Sequence, residues 1–123
     1  MKLITKKEER LLPPLYATEY AKDPICHVKL FAPVGHWTWY LMEYDPARKV
    51  AFAFVVGHVN ELGYVSIAEL QSIKVRSGII VNGEKVTFGL PIERDLYWTP
   101  KPLSQVRELH EPLMMRVGED ERS

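Results

Sequence analysis

Between His36 and Tyr44 the chain alternates with a period of two. Trp37, Trp39, Leu41 and Glu43 fall on one side of an extended segment; His36, Thr38, Tyr40, Met42 and Tyr44 fall on the other. Asp45-Pro46-Ala47-Arg48 then reads as a turn. Val50–Val56 is apolar at nearly every position, the pattern of a strand covered on both faces. The short connection between the two predicts an antiparallel pair.

Upstream, Thr5-Lys6-Lys7-Glu8 has the spacing of a capping box and predicts a first helix. Pro13 and Pro14 interrupt it. Leu15, Tyr16 and Tyr20 are spaced to continue as a second helical piece, Asp23-Pro24 is a turn, and Ile25–Phe31 reads as a strand. Downstream, Glu61-Leu62-Gly63-Tyr64 predicts a tight bend, with Gly63 in a conformation that side chains disfavour. Ser66-Ile67-Ala68-Glu69 is a second capping box, opening a short helix that runs to about Ile73. Asn82-Gly83, between Gly78–Val81 and Glu84–Phe88, is the strongest hairpin signal in the chain, since both residues tolerate the positive φ of a type I′ turn. Leu96-Tyr97-Trp98 predicts a last short strand, and Ser104 caps a helix towards Glu111. The sum is an α+β fold: a small antiparallel meander with short flanking helices in a single domain over 1–117, and a disordered tail over 118–123.

Composition narrows the function classes. The chain has 123 residues, 16 basic and 16 acidic. The charge is also even along its length: 8 basic against 7 acidic residues in 1–61, and 8 against 9 in 62–123. A strong general attraction to phosphate is disfavoured, because it needs clustered positive charge. Cys26 is the single cysteine, so no internal disulfide forms. The start of the chain has no apolar signal region, and the longest apolar run, Val50–Val56, is far short of a membrane span. The expectation is a soluble, cytoplasmic protein.

No reaction signature is present. There is no P-loop, no G-x-G-x-x-G and no G-x-S-x-G. His27, His36, His58 and His110 lack metal-ligand spacing, and one cysteine builds no zinc site. No catalytic residue, metal or cofactor is expected. The candidate positions are therefore surface positions. Trp37, Trp39 and Tyr40 offer stacking faces, weighed against burial as core. Glu93-Arg94-Asp95 places a guanidinium between two carboxylates, suited to clamping an anion or to a structural ion pair with Glu43, Glu61 or Glu69. Cys26 is expected buried and inert, since His27 points to the opposite face. Lys74 and Arg76 are too few and too scattered along the chain to argue sequence-specific nucleic-acid recognition.

Three blocks in fixed order carry a resemblance: Trp37-Thr38-Trp39-Tyr40; Val55-Val56-Gly57-His58 through Glu61-Leu62-Gly63-Tyr64 to Glu69-Leu70; and Leu90-Pro91-Ile92-Glu93-Arg94-Asp95-Leu96-Tyr97 with Pro102-Leu103-Ser104. With Leu3-Ile4-Thr5-Lys6 and Leu12–Tyr16, the chain over about 1–106 resembles the domain-of-unknown-function family numbered 2958. That resemblance implies a bacterial protein of plasmids, phages and integrative elements with no assigned activity. The stretch Ser77–Phe88 is longer than the family pattern.

The leading expectation is a non-enzymatic accessory protein of a mobile genetic element. It would bind a host or defence-system protein and inhibit a defence system. The expected contact surface is Glu61, Tyr64, Glu93, Arg94 and Asp95, with the Asn82-Gly83 tip as a second contact. One alternative is a single-stranded nucleic-acid binder using Trp37, Trp39 or Tyr40 for stacking and Lys74, Arg76 and Arg94 for phosphate. The other is a small carboxylate-dependent enzyme or ligand-binding protein built from Glu43, Glu61, Glu93 and Asp95 in one pocket. The partner is otherwise open, no membrane is involved, and the state is monomer or homodimer.

Overall fold

The computed structural model describes residues 1–111. Three short helices, α1 (Lys6–Leu11), α2 (Ile67–Ser72) and α3 (Leu103–His110), accompany nine strands. These are β1 (Ile25–Cys26), β2 (Val28–Phe31), β3 (Thr38–Asp45), β4 (Val50–Val56), β5 (Asn60–Ser66), β6 (Lys74–Val81), β7 (Glu84–Pro91), β8 (Glu93–Arg94) and β9 (Lys101–Pro102). The main sheet is five-stranded and antiparallel in the order β5-β4-β3-β2-β8; β1 pairs with β9, and β6 pairs with β7. The fold is α+β and forms one small domain.

The central strands are apolar on both sides because both sides are covered. One face carries Val28, Leu30, Trp39, Leu41, Ala51, Ala53 and Val55, packed under Leu3, Ile4, Leu12, Ile67 and Leu70. The other carries Tyr40, Met42 and Phe54 beneath Leu103 and Val106 of α3 and beside Cys26. The alternation of β3 does not run unbroken, as its sequence suggested. A bulge between Leu41 and Glu43 shifts the register, so that Glu43 lies opposite Phe52 and Tyr44 opposite Ala51. One inserted residue moves Glu43 off the Trp39–Leu41 face and onto the α3 face, and Tyr44 goes the other way.

The first helix forms where the capping box placed it. Glu8 Oε1 accepts the Thr5 N–H at 2.9 Å and also the Thr5 hydroxyl. Ser66 Oγ accepts from Glu69 N–H at 3.1 Å and opens α2. The Asn82-Gly83 turn has φ of +50° and +82°, as the type I′ reading requires. Its strands extend further than the expected Gly78–Phe88, from Lys74 to Pro91.

Four local expectations are corrected. Residues 61–64 are not a bend but part of β5, and Gly63 has no positive φ; pairing with β4 along seven residues overrides the glycine. Leu15–Tyr20 is not a helix but a chain of tight turns, with Ala17 N–H to Pro14 O, Glu19 N–H to Tyr16 O and Ala21 N–H to Thr18 O. Leu96–Trp98 is a turn rather than a strand, closed by Tyr97 N–H on Asp95 Oδ1 at 2.9 Å, while the paired residues are Glu93 and Arg94. Ser104 is inside α3 and does not cap it. Its N–H and hydroxyl both donate to Asp23, at 2.8 and 2.6 Å, so the cap is supplied from 81 residues away. The tail expected to be disordered, 118–123, lies outside the described residues.

Candidate functional site

The residues expected to form one contact surface are divided by the sheet. Glu61 and Tyr64 are on β5, at one edge; Glu93 and Arg94 are on β8, at the other. Four inter-strand steps separate them, roughly 19 Å at about 4.8 Å per step. The faces differ as well. Tyr64 pairs with Phe52 and faces α3, whereas Glu61 pairs with Val55 and faces the other way.

Arg94 is occupied within the fold. It pairs with Leu30, and its Nη1 donates to Lys2 O at 2.6 Å and Leu3 O at 2.8 Å. It also lies 3.3 Å from Glu8 Oε1, with only 15% and 9% of the two side chains exposed. Asp95 is 3.5 Å from Lys29 Nζ. Of the stacking candidates, Trp39 and Tyr40 are buried and only Trp37 keeps an open ring, 40% exposed. Trp37 stacks on Trp39 at 6.1 Å, with His58 edge-on at 5.5 Å. The carboxylates of the enzyme reading do not converge either: Glu43 opens into one cavity and Glu93 with Asp95 into another. Among the described residues no group of three acidic, histidine or cysteine side chains is placed to hold a metal ion.

Tyr40 and Cys26 are held in uncharged forms. Burial, then the nearby Cys26 and Asp95, pushes the Tyr40 phenol up to about 12. Its hydroxyl bonds His110 Nε2 at 2.6 Å. Burial, then the Lys29 charge, pulls that imidazole below its usual range, so the pair is held neutral on both sides. Burial and Asp23 raise the Cys26 thiol to about 12. Both groups belong to the packing of α3 on the sheet.

What the fold does assemble is a cleft of about 730 Å³ between the 16–24 segment, β4–β5 and α3. Glu43 builds it. This carboxylate is 2% exposed and accepts the N–H groups of Tyr16 and Thr18, each at 2.8 Å, together with the Thr18 hydroxyl. Those bonds hold Tyr16 at a φ of +72°, a conformation that is costly for an aromatic residue. The Tyr16 ring is thereby brought to 6.2 Å from Tyr64, which is 5.1 Å from Phe52. Tyr16 and Tyr64 are 59% and 55% exposed. Sequence reasoning found Tyr64 but not Tyr16. The partnership depends on the β3 bulge that turns Glu43 towards this side.

A family model described as "Protein of unknown function (DUF2958)" matches residues 3–111. The chain belongs to the DUF2958 family. No curated protein and no solved structure matches it.

The second exposed feature of this DUF2958 chain is the β6–β7 hairpin, whose strands, among the described residues, pair only with each other. One side carries Val75, Ser77, Ile79 and Val81 opposite Leu90, Phe88, Val86 and Glu84. Ile79, Val81, Val86 and Phe88 are 40–53% exposed. At the base, Val75 lines an apolar trough of about 330 Å³ with Trp37, Trp39, Ile73, Val34 and Ile92. The opposite side brings together Lys74, Arg76 and Lys85, separated in sequence, with Gly78 and Gly89 between them and no carboxylate among its paired residues. Among the described residues no helix is long and apolar enough to cross a membrane.

Proposed function

We propose that this chain is a protein-interaction module: a non-enzymatic accessory protein of a mobile genetic element that binds a host or defence-system protein. The observation that carries the reading is the uncovered apolar side of the β6–β7 hairpin. A two-stranded hairpin is marginal in water on its own. This one projects Ile79, Val81, Val86 and Phe88 with nothing from the described fold over them. Apolar side chains concentrated on one side of a projecting ribbon, continuing into the Trp37 trough, are the composition of an interface core. The choice of partner class follows from the setting that the family resemblance implies.

The test is partner capture from host lysate by wild type and by the double variant Ile79→Ser, Phe88→Ser. Both positions lie outside the sheet core, so the thermal midpoint is expected to stay within a few degrees of wild type. A stoichiometric protein captured by wild type and lost in the variant supports the reading. Equal capture by both removes the hairpin as its surface.

The cationic side of the hairpin favours a second reading, binding of single-stranded nucleic acid. Three cations on one side predict a log–log salt slope of about −2. Fluorescence anisotropy with a labelled single strand, at several salt concentrations, measures it. A flat salt response, or unchanged affinity after Arg76→Glu with Lys85→Glu, counts against it.

A further inference from the structure

The cleft at Tyr16 and Tyr64 has a ligand chemistry of its own. Its volume of about 730 Å³ is in the range of pockets that enclose a side chain or small molecule. Three aromatic rings, Tyr16, Tyr64 and Phe52, line it at tilted angles of 49–59° and centroid separations of 5.1–6.2 Å. Tyr16 and Tyr64 are both exposed, so aromatic surface is open to a ligand, and an aromatic face carries negative charge density.

The lining charge has the same sign as those ring faces. Glu19, Asp23 and Glu43 contribute three carboxylates, against the cations Lys22 and Arg107. Arg107 is already engaged, 3.3 Å from Glu111 and 4.8 Å over the Phe54 ring. The field is visible at Tyr64, where partial desolvation, then Tyr16, Glu43 and Glu19, hold the phenol above its ordinary value. A strained aromatic residue, held open by a buried carboxylate at 2% exposure, marks a place where the fold over-determines geometry.

We infer that this cleft is a receptor for a cationic side chain, the guanidinium of Arg or the ammonium of Lys, presented by a protein partner. Aromatic faces together with carboxylates attract an organic cation, while an anion would meet repulsion from both. The inference deepens the interaction reading and rests on it, but it uses a surface separate from the hairpin.

The test is a titration followed by NMR, using blocked tripeptides with a central Arg, Lys or Glu as probes. The Arg and Lys peptides are expected to give saturable shifts at Tyr16, Phe52 and Tyr64, and the Glu peptide none. Tyr64→Ala is expected to weaken the basic peptides by about tenfold, while Tyr64→Phe, which keeps the ring, retains most of the affinity. Tyr64 is an exposed edge-strand residue, and Tyr64→Phe guards against a folding defect in the alanine variant. Preference for the Glu peptide, absence of saturation by both basic peptides, or full binding by Tyr64→Ala overturns the inference. Hairpin-dependent partner capture without a response to basic peptides overturns this inference alone. A cation response without hairpin-dependent capture overturns only the hairpin assignment.

Discussion

Arg94→Ala should destabilise the fold. Helix α1 has the sequence Lys6-Lys7-Glu8-Glu9-Arg10-Leu11, with no apolar stripe, and its one buried residue is Glu8. Its attachment to the sheet therefore depends on the flanking Leu3, Ile4 and Leu12 and on Arg94. The Arg94 Nη1 serves two carbonyl oxygens and the Glu8 carboxylate from one position. Removing one partner of a mostly buried ion pair costs about 3–5 kcal/mol, and charge-assisted hydrogen bonds contribute about 1.5–3 kcal/mol each without being additive. The 15% exposure of Arg94 lets water replace part of the loss, so the lower end applies, about 3 kcal/mol. In urea melts this is a midpoint shift of about 1.5–2 M for a chain of this size. Arg94→Lys should recover less than half, because the shorter side chain and its more strongly hydrated ammonium do not reproduce the position that the guanidinium Nη1 takes among these three acceptors.

The pH dependence gives a second readout. Burial acts to raise the Glu8 pKa, but the Thr5 hydroxyl, the Thr5 N–H and the Arg94 charge outweigh it and hold the carboxyl below its usual value. A depressed folded pKa contributes stability that is complete above the unfolded value, about 4.3. That stability is lost as pH falls through the folded value. The stability gap between wild type and Glu8→Gln should therefore hold above about pH 4.3 and close as pH falls below it, through the folded value. In the Arg94→Ala background the gap should be smaller and finish closing at higher pH, because the Arg94 charge no longer holds the folded value down. A cost below about 1 kcal/mol for Arg94→Ala, or a gap to Glu8→Gln that is flat with pH, would refute the attachment of α1 through Arg94 and Glu8.

Three other perturbations follow from the same geometry. Glu43→Ala strips three donors in the Tyr16–Thr18 turn of their acceptor; a cost of about 2–4 kcal/mol is expected, with faster proteolysis of the 14–22 segment, and limited digestion checks it. Gly57→Ala places a Cβ 2.2 Å from the Trp37 ring, so the ring must swing away; red-shifted tryptophan emission and a loss of about 1–3 kcal/mol are expected. Cys26, buried with its thiol at about 12, should resist a thiol reagent at pH 8 in the folded protein and react fully in urea; rapid native labelling would contradict its packing.

Much of the scaffold was legible in the sequence because its signals are local. The Thr5–Glu8 box, the Ser66 cap, the Val50–Val56 strand and the Asn82-Gly83 turn each depend on a few neighbouring residues whose backbone preferences do not change with context. The membership implied by the Trp37, Gly57 and Leu90 blocks was likewise readable along the chain. Pairing partners decided the rest. Gly63 looked like a bend until β4 paired with it along seven residues, and Ser104 looked like a cap until Asp23 arrived to supply one.

Strand order and register, not composition, set the candidate surfaces. Order placed Tyr64 and Arg94 on opposite edges, and the Leu41–Glu43 bulge turned Glu43 to the α3 side, where it holds Tyr16 beside Tyr64. Register in β6–β7 put Val75, Ile79, Val81, Val86, Phe88 and Leu90 on one side and Lys74, Arg76 and Lys85, with Ile80, on the other. The sequence by itself determined the locally signalled elements, the capped helices, the Val50–Val56 strand and the Asn82-Gly83 turn, since those are short-range preferences. Only the tertiary structure decided which side chains meet, because a one-residue shift of pairing exchanges the two faces of a strand.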